Sequence, residues 1–354
     1  MHKTVRKVVL GLIGMSICSQ VYGSQWREPL PTFEPGEWHW VDIPDTYCRD
    51  GSSSGIQVNY SNSSSDLIIY LEGGGACFNN ITCSINPSSA TREPPPAEGI
   101  FSRSNDGNPF KDYNYIYIPY CTGDVYAGNR RNVDVSRSVE NQQFVGYSNM
   151  TRFLQHIAPT FTDADKVVLS GISAGGFGAL MNFDQAKQIL GSVDLRLLDD
   201  SGIPFTDEYL ESCLQSQWRQ LWDMQFPEDC TECENEQGGG LSNYLLYLQE
   251  KYDDSQFAFI SSLGDTTIRF FYGFGRNNCR VVIPSTRASD FRKGLFQMRD
   301  EVVQNRGNFF LFEGTTHTYL KKPLFYSTVS GGQAMNDFVS DYLNDRAQNR
   351  GPER

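Results

Sequence analysis

Positive charge is in short supply in this chain. Thirty Lys and Arg stand against 42 Asp and Glu, for a formal net charge of −12 in 354 residues. That deficit excludes a nucleic-acid partner, because phosphate contacts need a dense Lys/Arg surface. It excludes docking on an anionic membrane surface for the same reason. Long apolar runs are also missing. Apart from residues 8–17, which Gly11, Gly14 and Ser16 interrupt, nothing approaches the roughly 20 apolar residues of a membrane span. Histidine is scarce, with four in the whole chain. No second Cys-x-x-Cys pair and no nearby His accompany Cys230-Thr231-Glu232-Cys233, so no metal site is expected. Internal repeats are absent as well. What is present, 39% hydrophobic and 13% aromatic residues, suffices to bury a core and excludes disorder.

Lys3, Arg6 and Lys7 precede the short apolar run, and Val21-Tyr22-Gly23 offers the small or neutral residues that a signal peptidase reads. This pattern predicts a secretory signal peptide over residues 1–23 and a single catalytic domain over 24–354, secreted to the extracellular space or periplasm. Ile17 is bulky where a lipoprotein signal carries a small residue, which argues against Cys18 as a lipid anchor. The other eight cysteines (Cys48, Cys77, Cys83, Cys121, Cys213, Cys230, Cys233 and Cys279) form an even set, read in an exported chain as up to four disulfides. Cys77 and Cys83 are spaced to pair across a tight loop; the remaining connectivity is not legible.

Strand-like apolar runs fall at residues 67–71, 115–120, 166–170, 195–198, 257–261 and 309–312. Helical patterns lie near 140–157, 177–190, 206–218, 290–305 and 333–347. Strands that are apolar at nearly every position are covered on both faces. They predict an α/β-hydrolase-like fold, a mostly parallel sheet with helices on each side. Ligands in such folds sit beyond the C-terminal strand ends. Residues 52–65, rich in Ser, Asn and Gly, read as a lead-in to the first strong strand. Residues 84–114, with Pro94-Pro95-Pro96, read as a long surface excursion that sets the depth of an acyl pocket. Residues 228–240 read as a second excursion, held by Cys230 and Cys233.

Gly171-Ile172-Ser173-Ala174-Gly175 follows one of these strands and precedes a helix. A serine between glycines on a tight strand-to-helix turn presents its hydroxyl, and the helix N-terminus favours negative charge beside it. Ser173 is the candidate nucleophile. A serine hydroxyl needs a base, and elimination leaves one. His2 falls in the expected signal peptide; His39, in Trp38-His39-Trp40, precedes any expected sheet strand; His156 sits inside a helical pattern. His317 follows the last strand, in the chain order Ser, acid, His. Asp265 ends the penultimate strand and is the favoured acid, while Asp199 and Asp200 end an earlier strand and compete for the role. Glu72-Gly73-Gly74-Gly75 follows the first strong strand, with glycines that let backbone N–H groups face a ligand; Ala174 would supply the other donor of an oxyanion hole. No Gly-Lys-Ser/Thr follows these glycines, so a phosphate loop is excluded.

With these residues in hand, the chain resembles the pectin acetylesterase/Notum family of serine esterases. The carrying segments are Leu71-Glu-Gly-Gly-Gly-Ala-Cys-Phe78, Ile118-Pro-Tyr-Cys-Thr-Gly-Asp124, Gly171-Ile-Ser-Ala-Gly-Gly176 and Asp200-Ser-Gly202. The resemblance implies Ser173, Asp265 and His317 as the triad, with Gly74, Gly75 and Ala174 as the oxyanion donors, and it implies a Cys77–Cys83 bridge. Gly75 stands where an aromatic residue is common in Notum-like members, and the surroundings of Asp265 and His317 match loosely, which marks a divergent, bacterial branch. The implied activity is removal of an O-acyl group, acetyl, from an acylated carbohydrate, with no metal or organic cofactor. Two alternatives stand beside it: an esterase for longer acyl chains of lipid or protein, and a catalytically inactive glycan-binding protein on the same scaffold.

Overall fold

The computed structural model describes residues 27–354 except Val282. The expected signal peptide and Cys18 lie outside the described residues. Strands β1 (His39–Tyr47), β2 (Ser53–Asn59), β3 (Leu67–Leu71) and β4 (Asn114–Ile118) come first, then a small hairpin of β5 (Arg130–Val133) and β6 (Gln142–Phe144). Strands β7 (Lys166–Ile172), β8 (Asp194–Asp200), β9 (Phe257–Ser262) and β10 (Asn308–Phe312) follow. All but the hairpin join one eight-stranded sheet in the order β1-β2-β4-β3-β7-β8-β9-β10. The stretch from β4 to β10 is parallel throughout, while β1 and β2 extend it by antiparallel pairing.

Side chains alternate across a strand with period 2, so a strand apolar at every position serves two cores. Leu67, Ile69 and Leu71 of β3 enter one cluster, and Ile68 and Tyr70 enter the other. Phe309 and Leu311 divide from Phe310 and Phe312 in the same way on β10. The helices are α1 (Asn80–Ser84), α2 (Gly146–Thr160), α3 (Ala174–Met181), α4 (Phe183–Leu190), α5 (Ser212–Trp222), α6 (Leu241–Lys251), α7 (Thr266–Gly273), α8 (Arg276–Cys279), α9 (Ala288–Gln297), α10 (Leu324–Ser327) and α11 (Met335–Leu343). Most of them cover the first face, through residues such as Phe153, Leu214, Leu245 and Phe291, while α10 and α11 cover the second through Phe325, Phe338 and Tyr342.

Several expected boundaries move. Residues 52–65 are not a lead-in: they contain β2, which buries Ile56 and Val58 and is templated by strands on both sides. His39 opens β1 instead of preceding the sheet. The helix expected at 140–157 begins at Gly146, because β6 takes residues 142–144. The pattern at 177–190 is two helices, α3 and α4, parted at Asn182, whose Nδ2 donates to the Tyr126 and Gly178 carbonyls. The pattern at 206–218 becomes α5, and that at 290–305 ends as α9 followed by a π-helical turn, Met298–Val303. Four disulfides form: Cys48–Cys121, Cys77–Cys83, Cys213–Cys279 and Cys230–Cys233. Among the described residues no helix is long and apolar enough to cross a membrane.

Candidate active site

Ser173 links β7 to α3 with φ 56° and ψ −122°, left-handed backbone that a non-glycine residue holds at a cost of about 1–3 kcal/mol. The turn closes because its neighbours are glycines. A Cβ on Gly175 would lie 2.0 Å from the Leu71 carbonyl oxygen, and one on Gly171 would lie 2.2 Å from the Gly175 carbonyl oxygen. The Ser173 amide donates to the Asp200 carbonyl at 2.8 Å, tying the turn to the next strand.

Asp265 leaves the end of β9 fully buried. Its Oδ1 accepts from the Thr267 and Ile268 amides at 2.9 and 3.0 Å, capping α7. Its Oδ2 lies 2.7 Å from His317 Nδ1. The carboxylate is thus oriented by a helix N-terminus and in turn orients the imidazole, leaving Nε2 free of it. His317 sits in the loop after β10 with its side chain 19% exposed. That loop is pinned from several strands. Ser262 Oγ donates to the Thr316 carbonyl at 2.8 Å, and the Lys322 ammonium donates to the His317 carbonyl at 2.7 Å. Because β7, β9 and β10 are parallel, Ser173, Asp265 and His317 emerge on one rim of the sheet. Among the described residues the Ser173 hydroxyl makes no hydrogen bond, to the His317 imidazole or to any other group.

The competing acids have other duties. Asp200 Oδ2 accepts from the Tyr319 and Leu320 amides at 2.5 and 2.9 Å, holding the histidine loop from below. Burial pushes its carboxyl up, and those amide donors pull it back. Asp199 is buried against Gly176 and Gly202; the Gly202 amide faces its carboxylate, but neither oxygen makes a full hydrogen bond among the described residues. Burial, then the neighbouring Asp200 charge, pushes its carboxyl well above the usual range.

On the far side of Ser173, the Gly-rich loop turns at Gly75, where φ is +80°. Among the described residues no group accepts a hydrogen bond from the N–H of Gly74, Gly75 or Ala174. Gly75, Ala174 and Ser173 border a narrow cavity of about 30 Å³ with apolar walls from Val125, Phe177, Trp218, Ile268, Phe271 and Tyr272. None of its lining comes from residues 84–114, which corrects the expectation that this excursion sets pocket depth. The excursion instead buries Ile100, Phe101 and Phe110 under the second face of the sheet. Val125 and Tyr126 both take positive φ, 49° and 60°. Buried Asp124 holds them there, accepting from Thr122 Oγ1 and the Tyr126 and Gly146 amides. Neither the walls nor this clamp was legible beforehand, since an aromatic residue in a helix or an Asp in a turn carries no mark of the cavity it borders.

The other two described histidines, His39 and His156, have structural partners. His39 stacks on Phe33 with ring centroids 4.2 Å apart, and His156 Nδ1 lies 2.7 Å from the Glu28 carbonyl oxygen.

The profile described as Pectinacetylesterase matches residues 40–249. The chain belongs to the pectinacetylesterase family. The matched segment of this family member holds Gly74, Gly75, Ser173 and Ala174; Asp265 and His317 lie beyond it and are joined to the site by geometry alone. Curated relatives include palmitoleoyl-protein carboxylesterase notum2 of Xenopus laevis, 31% identical over 170 residues, or 44% of this chain and 34% of the relative. The Homo sapiens palmitoleoyl-protein carboxylesterase NOTUM is 33% identical over 171 residues, with the same two coverages. The chain thus spans about a third of the length of the curated relatives it matches. These relatives are animal proteins and lend no support to the expected bacterial branch. A solved structure, the Wnt deacylase Notum from Drosophila, superposes with a TM-score of 0.67 at 20% identity, covering 89% of this chain and 96% of that one. It shares the fold.

Proposed function

We propose that the protein is a secreted serine carboxylic ester hydrolase that removes a short O-acyl group, acetyl, from carbohydrate. The observation that carries this reading is the 2.7 Å contact between buried Asp265 and His317 on the rim where Ser173 is held in a strained turn. In this reading Asp265 fixes the imidazole tautomer, and His317 Nε2 takes the Ser173 proton as the hydroxyl attacks the acyl carbonyl. The oxyanion that forms is received by the N–H groups of Gly74, Gly75 and Ala174, which have no other partner among the described residues. His317 then protonates the leaving alcohol, and water releases the acid by the same route.

The short acyl group is argued from the cavity beside Ser173. At about 30 Å³ it holds little more than the roughly 10–15 Å³ that a single water needs, and aromatic rings line it. The alcohol side has the open rim. A protein at −12 repels a polyanion, so an acidic glycan requires local cations such as Arg130 and Arg131, both exposed on β5. The apolar walls also suit longer acyl chains, and the relatives are named for a palmitoleoyl-protein substrate, which makes a lipid or protein ester the second reading. Four disulfides fit the oxidising compartment that secretion implies.

A series of p-nitrophenyl esters from acetyl to palmitoyl, run beside acetylated xylan and pectin, decides between the two. The expected kcat/KM is highest for acetyl and falls as the chain lengthens, with no turnover by Ser173→Ala. A maximum at long chains moves the assignment to the second reading. A folded wild-type protein that forms no fluorophosphonate adduct on Ser173 is a binding protein instead.

A further inference from the structure

The three consecutive glycines of the Gly-rich loop raise a physical difficulty. No side chain on Gly73, Gly74 or Gly75 resists rotation of the intervening peptides, so the local sequence does not fix which way their N–H groups point. A flip of the peptide between Gly74 and Gly75 would aim a carbonyl oxygen where the oxyanion forms. Something outside the loop has to hold that peptide.

We propose that Asn86 is the positioning residue that locks the oxyanion-hole peptide, an inference that rests on the esterase reading above. Asn86 Nδ2 donates to the Gly74 carbonyl at 2.8 Å. Across a planar trans peptide the C=O and N–H point to opposite sides. With the Gly74 carbonyl committed to Asn86, the Gly75 N–H is turned away from Asn86, and Gly75 borders the cavity that Ser173 and Ala174 share.

Asn86 is itself immobilised. It is 6% exposed, and its backbone carbonyl accepts from Arg49 Nη2 at 2.8 Å. The same guanidinium nitrogen donates to the Cys83 carbonyl at 3.1 Å, and Nη1 donates to Gln142 Oε1 at 2.6 Å. The Cys77–Cys83 bridge closes the intervening turn. Pro87 and Tyr120 pack so tightly on Gly74 that a Cβ there would lie 3.2 and 2.5 Å from their ring carbons. The lock therefore runs from Arg49 and the disulfide through Asn86 to one peptide plane.

The test compares wild type, Asn86→Ala and the near-isosteric Asn86→Asp in secreted, disulfide-bonded protein. Three quantities are read with p-nitrophenyl acetate and phenylboronic acid: kcat, KM and the inhibition constant of the boronate, which forms a tetrahedral adduct on the serine. Loss of one oxyanion donor typically lowers kcat by about 10²–10³. Both variants are expected to approach that loss with KM little changed, and boronate affinity is expected to fall in proportion to kcat. A role confined to stability would lower the melting temperature and leave that proportionality unmet. Wild-type kcat in a variant that melts like the wild type overturns the proposal, as does a fall in kcat with boronate affinity intact. Asn86→Asp preserves the packing, so it alone suffices if Asn86→Ala fails to fold. Absence of a fluorophosphonate adduct on wild-type Ser173 overturns the esterase reading and the lock together, whereas an adduct with unchanged kcat in the variants overturns the lock alone.

Discussion

Asp199 and Asp265 are equally hidden from water, at 1% and 0% exposure, yet their surroundings give them opposite uses. Asp265 has two amide donors on one oxygen and an imidazole on the other; Asp199 makes no full hydrogen bond among the described residues. Asp265→Asn should therefore misorient the His317 tautomer and cut kcat by about 10⁴-fold, far more than Asp200→Asn, when both are assayed on p-nitrophenyl acetate. The reverse ranking would move the acid. Asp199 makes a different prediction, about stability. Burial raises its carboxyl in the folded state, so folding retains a proton that the unfolded chain gives up near pH 4. The stabilisation is whole below that value and is lost as pH rises toward the raised folded value, at about 1.4 kcal/mol per pH unit. Asp199→Asn removes this loss. Melts of the two proteins should diverge in favour of the variant as pH climbs, and parallel curves would contradict the assignment. At this scale the candidates Ser173 and His317 were drawn from the sequence alone, one from its glycine neighbours and one by elimination, because chemistry restricts which residue types serve. The bond from Asn86 to Gly74 was not legible, since it depends on which carbonyl the fold places beside the side chain.

The elements repeat the contrast. Strands β3, β4 and β10 announced themselves because burial on both faces leaves only apolar residues. Strand β2 did not, for its Ser53-Ser54-Gly55 start and its Gln57 and Asn59 read as polar coil. Pairing with β1 and β4 imposes the strand, and Arg103 satisfies the buried Asn59 side chain at 2.7 Å. The break between α3 and α4 was hidden for a like reason: Asn182 finds the Tyr126 carbonyl, 56 residues away in sequence, at 3.0 Å. The turn at Ser173 carries its own prediction. Gly175→Ala would drive a methyl into the Leu71 carbonyl, so the strand end or the turn must shift. A loss of about 1–3 kcal/mol in stability is expected, with a fall in kcat larger than that loss alone explains. Wild-type kcat in that variant would show the close approach to be dispensable.

For the whole molecule, two disulfides join segments far apart in the chain. Cys48–Cys121 spans 73 residues and joins the end of β1 to the segment after β4, beside Arg49. Cys213–Cys279 spans 66 residues and joins α5, which carries Trp218 of the cavity wall, to α8. Replacing Cys48 and Cys121 together by Ser should lower stability by about 2–5 kcal/mol, seen as a drop in melting temperature. Free-thiol titration of the unfolded, unreduced wild-type protein should find no thiol among the eight cysteines from Cys48 to Cys279; eight thiols would refute the pairing. The even count was readable, and the short Cys77–Cys83 loop with it. The long-range partners were not, because sequence separation says nothing of which loops meet in space.

By itself the order of residues determined the α/β class, the candidate nucleophile turn, the candidate base and the glycine loop. Each of these is a local pattern: a period of two, a spacing of glycines, one histidine left after elimination. Tertiary structure alone decided that Asp265, and not Asp199 or Asp200, meets His317, that Val125, Trp218 and Phe271 wall the cavity, and that Asn86 holds Gly74. Those relations join residues far apart in the chain, and only packing brings their atoms within the few ångströms over which hydrogen bonds and van der Waals contacts act.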